Sequence, residues 1–184
     1  MNWYCDVAPD DPVHAPYHDG EYGFPAADER VLFERLCLEI FQAGLNWKLV
    51  LQKRTALNAA FDGFDVDAVA AYGDAERERL LADKGIIRNR RKIDAVIDNA
   101  ARVQALRASH GGFRAWLDAH HPRALKAWVK LFRATFRFTG PELVNEFLMS
   151  LGYLPGAHRE TCPVYAETLA WDPPWVRHPP LAEG

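Results

Sequence analysis

Apolar side chains recur three and four positions apart along most of this chain, so the pattern predicts helices and almost no strands. "DERVLFERLCLEIFQAGL" carries Leu32, Leu36 and Ala43 at helical spacing behind Asp28, a residue type that caps helix N-termini. "NWKLVLQKRTALNAAF" repeats the logic, with Asn46 as cap and Trp47, Val50, Leu51, Leu57 and Phe61 in register. Two short helices are expected behind Asp65 and Asp74, stopped by Gly73 and Gly85. A longer one, "RKIDAVIDNAARVQALRASH", should end at Gly111 and Gly112. "FRAWLDAHH", "RALKAWVKLF" and "PELVNEFLMSLG" complete the set, the last with Pro141 in its first turn. No repeat is visible, and the tail "WDPPWVRHPPLAEG" is too rich in proline for regular structure. The expected architecture is all-α: one compact helical domain over residues 1–170 and an irregular, Pro-rich tail over 171–184.

Composition narrows the function classes. The formal charge of −3 gives no general affinity for nucleic acid or membranes, so any such affinity must come from a local patch. No stretch approaches the ~20 apolar residues of a membrane span, and the N-terminus has no signal-peptide pattern. The chain therefore reads as cytoplasmic, with its three cysteines reduced, and as a monomer without membrane contact.

Two of those cysteines stand near histidines. Cys5 precedes His18 by thirteen positions, and His158 precedes Cys162 by four. Two such pairs from opposite ends make a Cys2His2 set, sufficient for a closed tetrahedral zinc site that would be structural because it leaves no open coordination position. The spacing is equally open to four unrelated surface residues. Cys37, inside "LCLEIF", reads as a small core side chain.

Glu39 is out of place on its helix. It shares a narrow arc with Leu32, Leu36 and Ala43, which turns a carboxylate toward the interior. A buried acid needs hydrogen bonds or a counter-charge. A salt bridge or a neighbouring helix end would satisfy it; so would a ligand in a cavity. The break at Gly44 sets Trp47 near the same corner, and an acid beside an indole face suits a flat, cationic, donor-bearing ligand.

"KGIIRNRRK" holds five positive charges and no acid. It spans a helix stop at Gly85, an apolar plug of Ile86 and Ile87, and the start of the next helix. A helix, a hairpin and a helix with exposed amides and Arg88, Arg90, Arg91 and Lys92 can grip phosphates without reading sequence.

With these residues assembled, the sequence resembles the DNA-3-methyladenine glycosylase I family of the helix-hairpin-helix glycosylases. The similarity runs from about Cys5 to Cys162 and is strongest in "YHDGEYG", "CLEIFQAGLNW", "GIIRNRRKI" and the terminal H-x3-C. The resemblance implies an all-helical fold with a helix-hairpin-helix motif and a structural zinc on Cys5, His18, His158 and Cys162, joining the two ends of the chain. It implies damaged double-stranded DNA as partner and hydrolysis of the N-glycosidic bond of a flipped, alkylated base, most simply 3-methyladenine. Glu39 would contact that base, Trp47 would stack on it, and Tyr17 would lie nearby. Gly85, Arg88, Arg90, Arg91 and Lys92 would hold the DNA backbone, Lys92 serving on phosphate and not as a lyase nucleophile. The stretch from Asn99 to Leu117 contains no acid, in keeping with this family's lack of the aspartate that many relatives use, and a monofunctional enzyme is expected.

The chain also departs from the family pattern. Val7 stands where the family has a tryptophan, with Trp3 ahead of Cys5 instead; Tyr22 replaces another indole, and His14 replaces a tyrosine. His14, Tyr17 and Tyr22 are therefore the expected base-pocket positions whose chemistry is altered or retained. A zinc-stabilised DNA-binding or lesion-sensing module without catalysis is the alternative on the same fold.

Overall fold

A computed structural model describes residues 3–182. Two short helices open the chain, α1 (Tyr4–Val7) and α2 (Ala15–Gly20), followed by α3 (Glu29–Gln42) and α4 (Trp47–Ala60). A 3-10 turn at Asp62–Phe64 leads to α5 (Val66–Ala70) and α6 (Asp74–Ala82). The long α7 (Arg90–His110), α8 (Phe113–His120), α9 (Leu125–Thr135) and α10 (Pro141–Ser150) complete the body; α11 (Pro163–Ala170) and α12 (Pro174–Arg177) close the chain. Among the described residues there is no strand. No helix among them is long and apolar enough to cross a membrane.

α3 runs through the middle, in contact with α4, α5, α7, α8 and α10. Its Leu32, Phe33, Leu36, Cys37, Ile40 and Phe41 are wholly buried, so Cys37 is a core residue. Truncating any of the larger ones would cost about 2–5 kcal/mol. Around α3 pack Phe61, Phe64, Val96, Phe113, Trp128, Phe132 and Phe147. The expected caps form: Asp28 accepts from the Arg30 amide, Asn46 from the Leu49 amide and Asp65 from the Asp67 and Ala68 amides. α6 differs, because Gly73 is its N-cap and Glu76 reaches back to the Gly73 amide. Gly73 thus starts α6 as well as ending the previous segment.

The tail is more ordered than its composition suggests. α12 is one helical turn begun by Pro174, and the Trp175 amide donates to the Gly152 carbonyl. Proline at the first helical position lacks only an N–H that would have no acceptor there, and both α11 and α12 start that way.

A second centre, apart from the main core, gathers the chain ends. Tyr17, Tyr22 and Ala157 pack with Tyr4, Trp47, Leu51 and Met149. Gly23 makes this possible. It has φ +88°, and a Cβ there would lie 2.9 Å from the Ala157 Cβ, so only glycine lets the two segments approach so closely.

Candidate active site

The packing of these ends against α3, α4 and α10 leaves a cavity of about 570 Å³. Every base-contact residue expected from the sequence lines it: Glu39 from α3, Trp47 from the first turn of α4, His14 and Tyr17 from α2 and its cap, and Tyr22. The Tyr17 and Trp47 rings meet edge to face at 5.1 Å, and the Tyr4 ring stands 5.4 Å from His14 and 5.5 Å from Tyr22. Trp3 and Val7 are also on the rim. An indole therefore reaches the cavity from before Cys5, with Val7 two residues after it.

The charge of this cavity is one-sided. Its lining includes Glu39, Glu142 and Glu146 and no lysine or arginine. The Glu39 side chain is 5% exposed and makes no hydrogen bond or ion pair with the described residues. Burial pushes its pKa up to about 8; the neighbouring Glu146 adds to the rise and Arg35, one turn earlier on α3, opposes it. Burial likewise raises the Glu146 carboxyl, helped by Glu142 and opposed by the bond from Tyr22. The Tyr17 hydroxyl, on a side chain 3% exposed, makes no hydrogen bond with the described residues. Unneutralised acids and aromatic faces suit a flat cation that carries N–H donors.

Beside the cavity the four metal-ligand residues come together. Cys5, His18, His158 and Cys162 are all buried, with their ligand atoms within 4.8 Å of one another. The Sγ of Cys162 lies 3.8 Å from His18 Nε2 and 3.7 Å from His158 Nδ1, and the Sγ of Cys5 lies 3.7 Å from His158 Nδ1. A tetrahedral zinc with ordinary Zn–S and Zn–N bonds needs S···N edges of about 3.6 Å. The outer nitrogens fix the tautomers: His18 Nδ1 is 2.6 Å from Asp19 Oδ1, and His158 Nε2 is 2.7 Å from the Tyr22 carbonyl. Both rings thereby turn their bare nitrogens toward the thiols, as metal-binding imidazoles do. The cluster can hold a metal ion.

The basic connection runs from Asp83 to Asn89 between α6 and α7. Arg88, Arg90 and Arg91 are exposed, and their side chains make no hydrogen bond or ion pair with the described residues. Asn89 caps α7 by accepting from the Lys92 amide. Two expected contacts are otherwise engaged. The Gly85 amide donates to Asp83 Oδ1 at 2.7 Å, and its carbonyl accepts from Lys53 Nζ at 2.8 Å. Lys92 is 4% exposed and its ammonium points inward, donating to the carbonyls of Phe41 at 2.7 Å and Ala43 at 2.6 Å. Placing it on phosphate is therefore incorrect. The closing carbonyls of α3 have no intrahelical donor and draw a cation to the negative end of the helix.

Sequence reading overlooked Glu146 and Tyr4. Glu146 borders the buried face of α10 formed by Leu143, Val144 and Phe147, the same kind of misplaced acid that singles out Glu39. Tyr4 gives no such signal, since it lies in a polar leader.

The helical fold has known counterparts. The methyladenine glycosylase family matches residues 7–130, and the chain belongs to that family. It is 49% identical over 96 residues to DNA-3-methyladenine glycosylase 1 of Escherichia coli, a match covering 52% of this chain and 51% of that protein. A crystal structure of 3-methyladenine DNA glycosylase I superposes with TM-score 0.77 at 34% identity, covering 86% of this chain and 97% of the other. A second, of a variant in complex with 3-methyladenine, gives TM-score 0.77 at 28% identity over 89% and 97%.

Proposed function

We propose that this protein is a monofunctional DNA glycosylase that flips 3-methyladenine out of duplex DNA and hydrolyses its N-glycosidic bond. The observation that carries the proposal is Glu39, a buried, unpaired carboxylate on the floor of a cavity walled by Trp47 and Tyr17 and lined by no lysine or arginine. The activity borne in the relatives' names supports it.

The chemistry asks little of the protein beyond binding. A 3-methylated deoxyadenosine is already cationic, so C1′–N9 cleavage sends the bonding electrons into the ring and releases a neutral base. Water adds to the oxocarbenium-like sugar, leaving a hydroxyl on C1′ and one free proton. Extrusion of the base is the step that needs binding energy, and the transition state is reached when the cavity holds the base apart from its sugar. Trp47 covers one face, and Glu39 accepts from the exocyclic amine, becoming ionised as the cation arrives. Arg88, Arg90 and Arg91, with the amides at the start of α7, hold the phosphates as one half of a helix-hairpin-helix grip.

Zinc is the metal proposed for the Cys2His2 cluster, where its role is to hold structure. Cys5 anchors the leader that brings Trp3, Tyr4 and Val7 to the cavity; His158 anchors the segment that brings Gly156 and Ala157. The metal would thus fix two walls of the base pocket.

Incubating the protein with methylated duplex DNA and identifying the released bases tests the whole proposal. Release of 3-methyladenine with an abasic site left in an unbroken strand is expected. Tight binding to methylated or abasic DNA with no base released would establish the non-catalytic module instead.

A further inference from the structure

A second groove, of about 750 Å³, opens beside the acidic cavity, between the α3–α4 turn and the α9–α10 connection. Gln42, Gly44 and Leu45 form one side; Phe138, Thr139 and Gly140 form the other. The backbone lies open to it, since a Cβ at Gly44 or Gly140 would meet nothing within 4 Å. Thr139 is 8% exposed, and its hydroxyl has no partner among the described residues. A buried hydroxyl left in that state marks a place for a polar ligand group.

Gln42 and Glu142 line both spaces, whereas Glu39 and Glu146 line the cavity alone. A nucleotide whose base fills the cavity and whose sugar and flanking backbone lie along the groove carries its C1′–N9 bond across that shared rim. Of the three acids, only Glu142 therefore stands at the bond that breaks. It projects from the first turn of α10, is exposed, and makes no hydrogen bond or ion pair with the described residues. Gln42 donates through Nε2 to the Leu45 carbonyl at 3.2 Å, which leaves its Oε1 as an acceptor. A carboxylate and an amide oxygen on one rim can take the two hydrogens of a water molecule and turn its lone pair toward C1′.

We infer that Glu142 is a catalytic residue, the general base for the water that attacks C1′, with Gln42 positioning that water. The inference rests on the glycosylase reading above and adds a proton acceptor to it. As the C1′–N9 bond breaks, its electron pair neutralises the methylated ring. The water oxygen bonds to C1′, and its proton passes to the Glu142 carboxylate, which later yields it to solvent. The same negative charge stabilises the oxocarbenium-like sugar as it forms. An acid in the first turn of a helix also suits the helix dipole, a purely structural role.

Single-turnover release of 3-methyladenine from methylated duplex, with melting and retention of the free base measured on the same proteins, separates the two roles. Glu142→Gln should slow release about 100-fold, the lower end for a general base, because the leaving base is already cationic. Its melting temperature and its retention of free 3-methyladenine should match wild type, and abasic duplex should bind no more weakly. Glu142→Ala should be equally slow, and added formate should restore much of its rate while leaving wild type unaffected. A wild-type release rate in Glu142→Gln overturns the inference and leaves the glycosylase standing. So does a slow variant whose base retention falls by the same factor, or a Glu142→Ala rate that formate does not raise. Release of no base by wild type overturns both readings.

Discussion

Lys92 Nζ donates to the Ala43 carbonyl at 2.6 Å, which ties the start of the basic helix α7 to the end of the helix that carries Glu39. The same ammonium reaches Phe41, so one buried cation closes the last turn of α3 just before the chain turns through Gly44 toward Trp47. Removing it strands two carbonyl groups, at about 1–3 kcal/mol for each that is buried. Lys92→Met should lower the melting temperature by roughly 4–8 °C for a destabilisation of about 2 kcal/mol, with the salt dependence of DNA binding untouched. A variant of normal stability whose salt slope falls by about 1 would return Lys92 to the phosphates.

The metal cluster predicts a different kind of loss. Purified protein should carry about one zinc per chain, because two thiol and two imidazole side chains whose ligand atoms lie within 4.8 Å of one another favour that ion, the thiols giving up their protons on binding. Cys162→Ser should lower metal content and thermal stability together, and should also weaken retention of free 3-methyladenine, since the clasp holds two cavity walls. Metal analysis, melting and a base-binding titration read these out. Folded wild-type protein that is metal-free after gentle purification would remove zinc from the account.

How much of this was legible depended on residue rarity and on distance along the chain. Cysteine and histidine are scarce enough that two spaced pairs stood out, although their meeting joins positions 5 and 162. Glu39 declared itself because it shares one narrow helical arc with Leu32, Leu36 and Ala43. Lys92 did not, because its reason for burial is a pair of carbonyls 49 and 51 residues away and a charge run normally faces water. Glu146 needs Tyr22, 124 residues distant, before its orientation means anything. The prolines of the 171–184 tail read against regular structure, although Pro174, at a first helical position, starts a helix.

The exposed arginines of the α6–α7 connection should act on every DNA sequence alike. Every phosphate that is no longer neutralised reduces the slope of log K against log salt by ~0.9. Replacing Arg88, Arg90 and Arg91 by alanine should therefore flatten that slope by about 2–3, while leaving the melting temperature near wild type, since these side chains bond nothing among the described residues. Binding of undamaged duplex across a salt series decides the matter. An unchanged slope would move the DNA grip elsewhere.

The last prediction concerns Glu39, whose burial gives stability a pH dependence opposite in sign to that of a salt-bridged acid. Its folded pKa of about 8 lies above the ordinary 4.5, so the unfolded chain loses this proton first as pH rises. Below pH 4.5 the group is neutral in both states and costs nothing. Between 4.5 and 8 the unfolded state is increasingly favoured, until above 8 the accumulated destabilisation is on the order of a few kcal/mol. Glu39→Gln keeps the shape and cannot ionise, so its melting temperature relative to wild type should rise by roughly 10 °C between about pH 5 and pH 9. Glu146, Glu142, Arg35, Tyr17 and Tyr22 remain in both proteins, and their own titration largely cancels in the difference. The same variant should excise 3-methyladenine about 10–100-fold more slowly, because an amide replaces a charge-assisted acceptor, while its affinity for undamaged DNA stays the same. Greater stability at high pH together with slower excision would mark Glu39 as a group whose burial is retained for the ligand. A melting difference that is flat with pH, or an excision rate equal to wild type, would take the acid out of the site's chemistry.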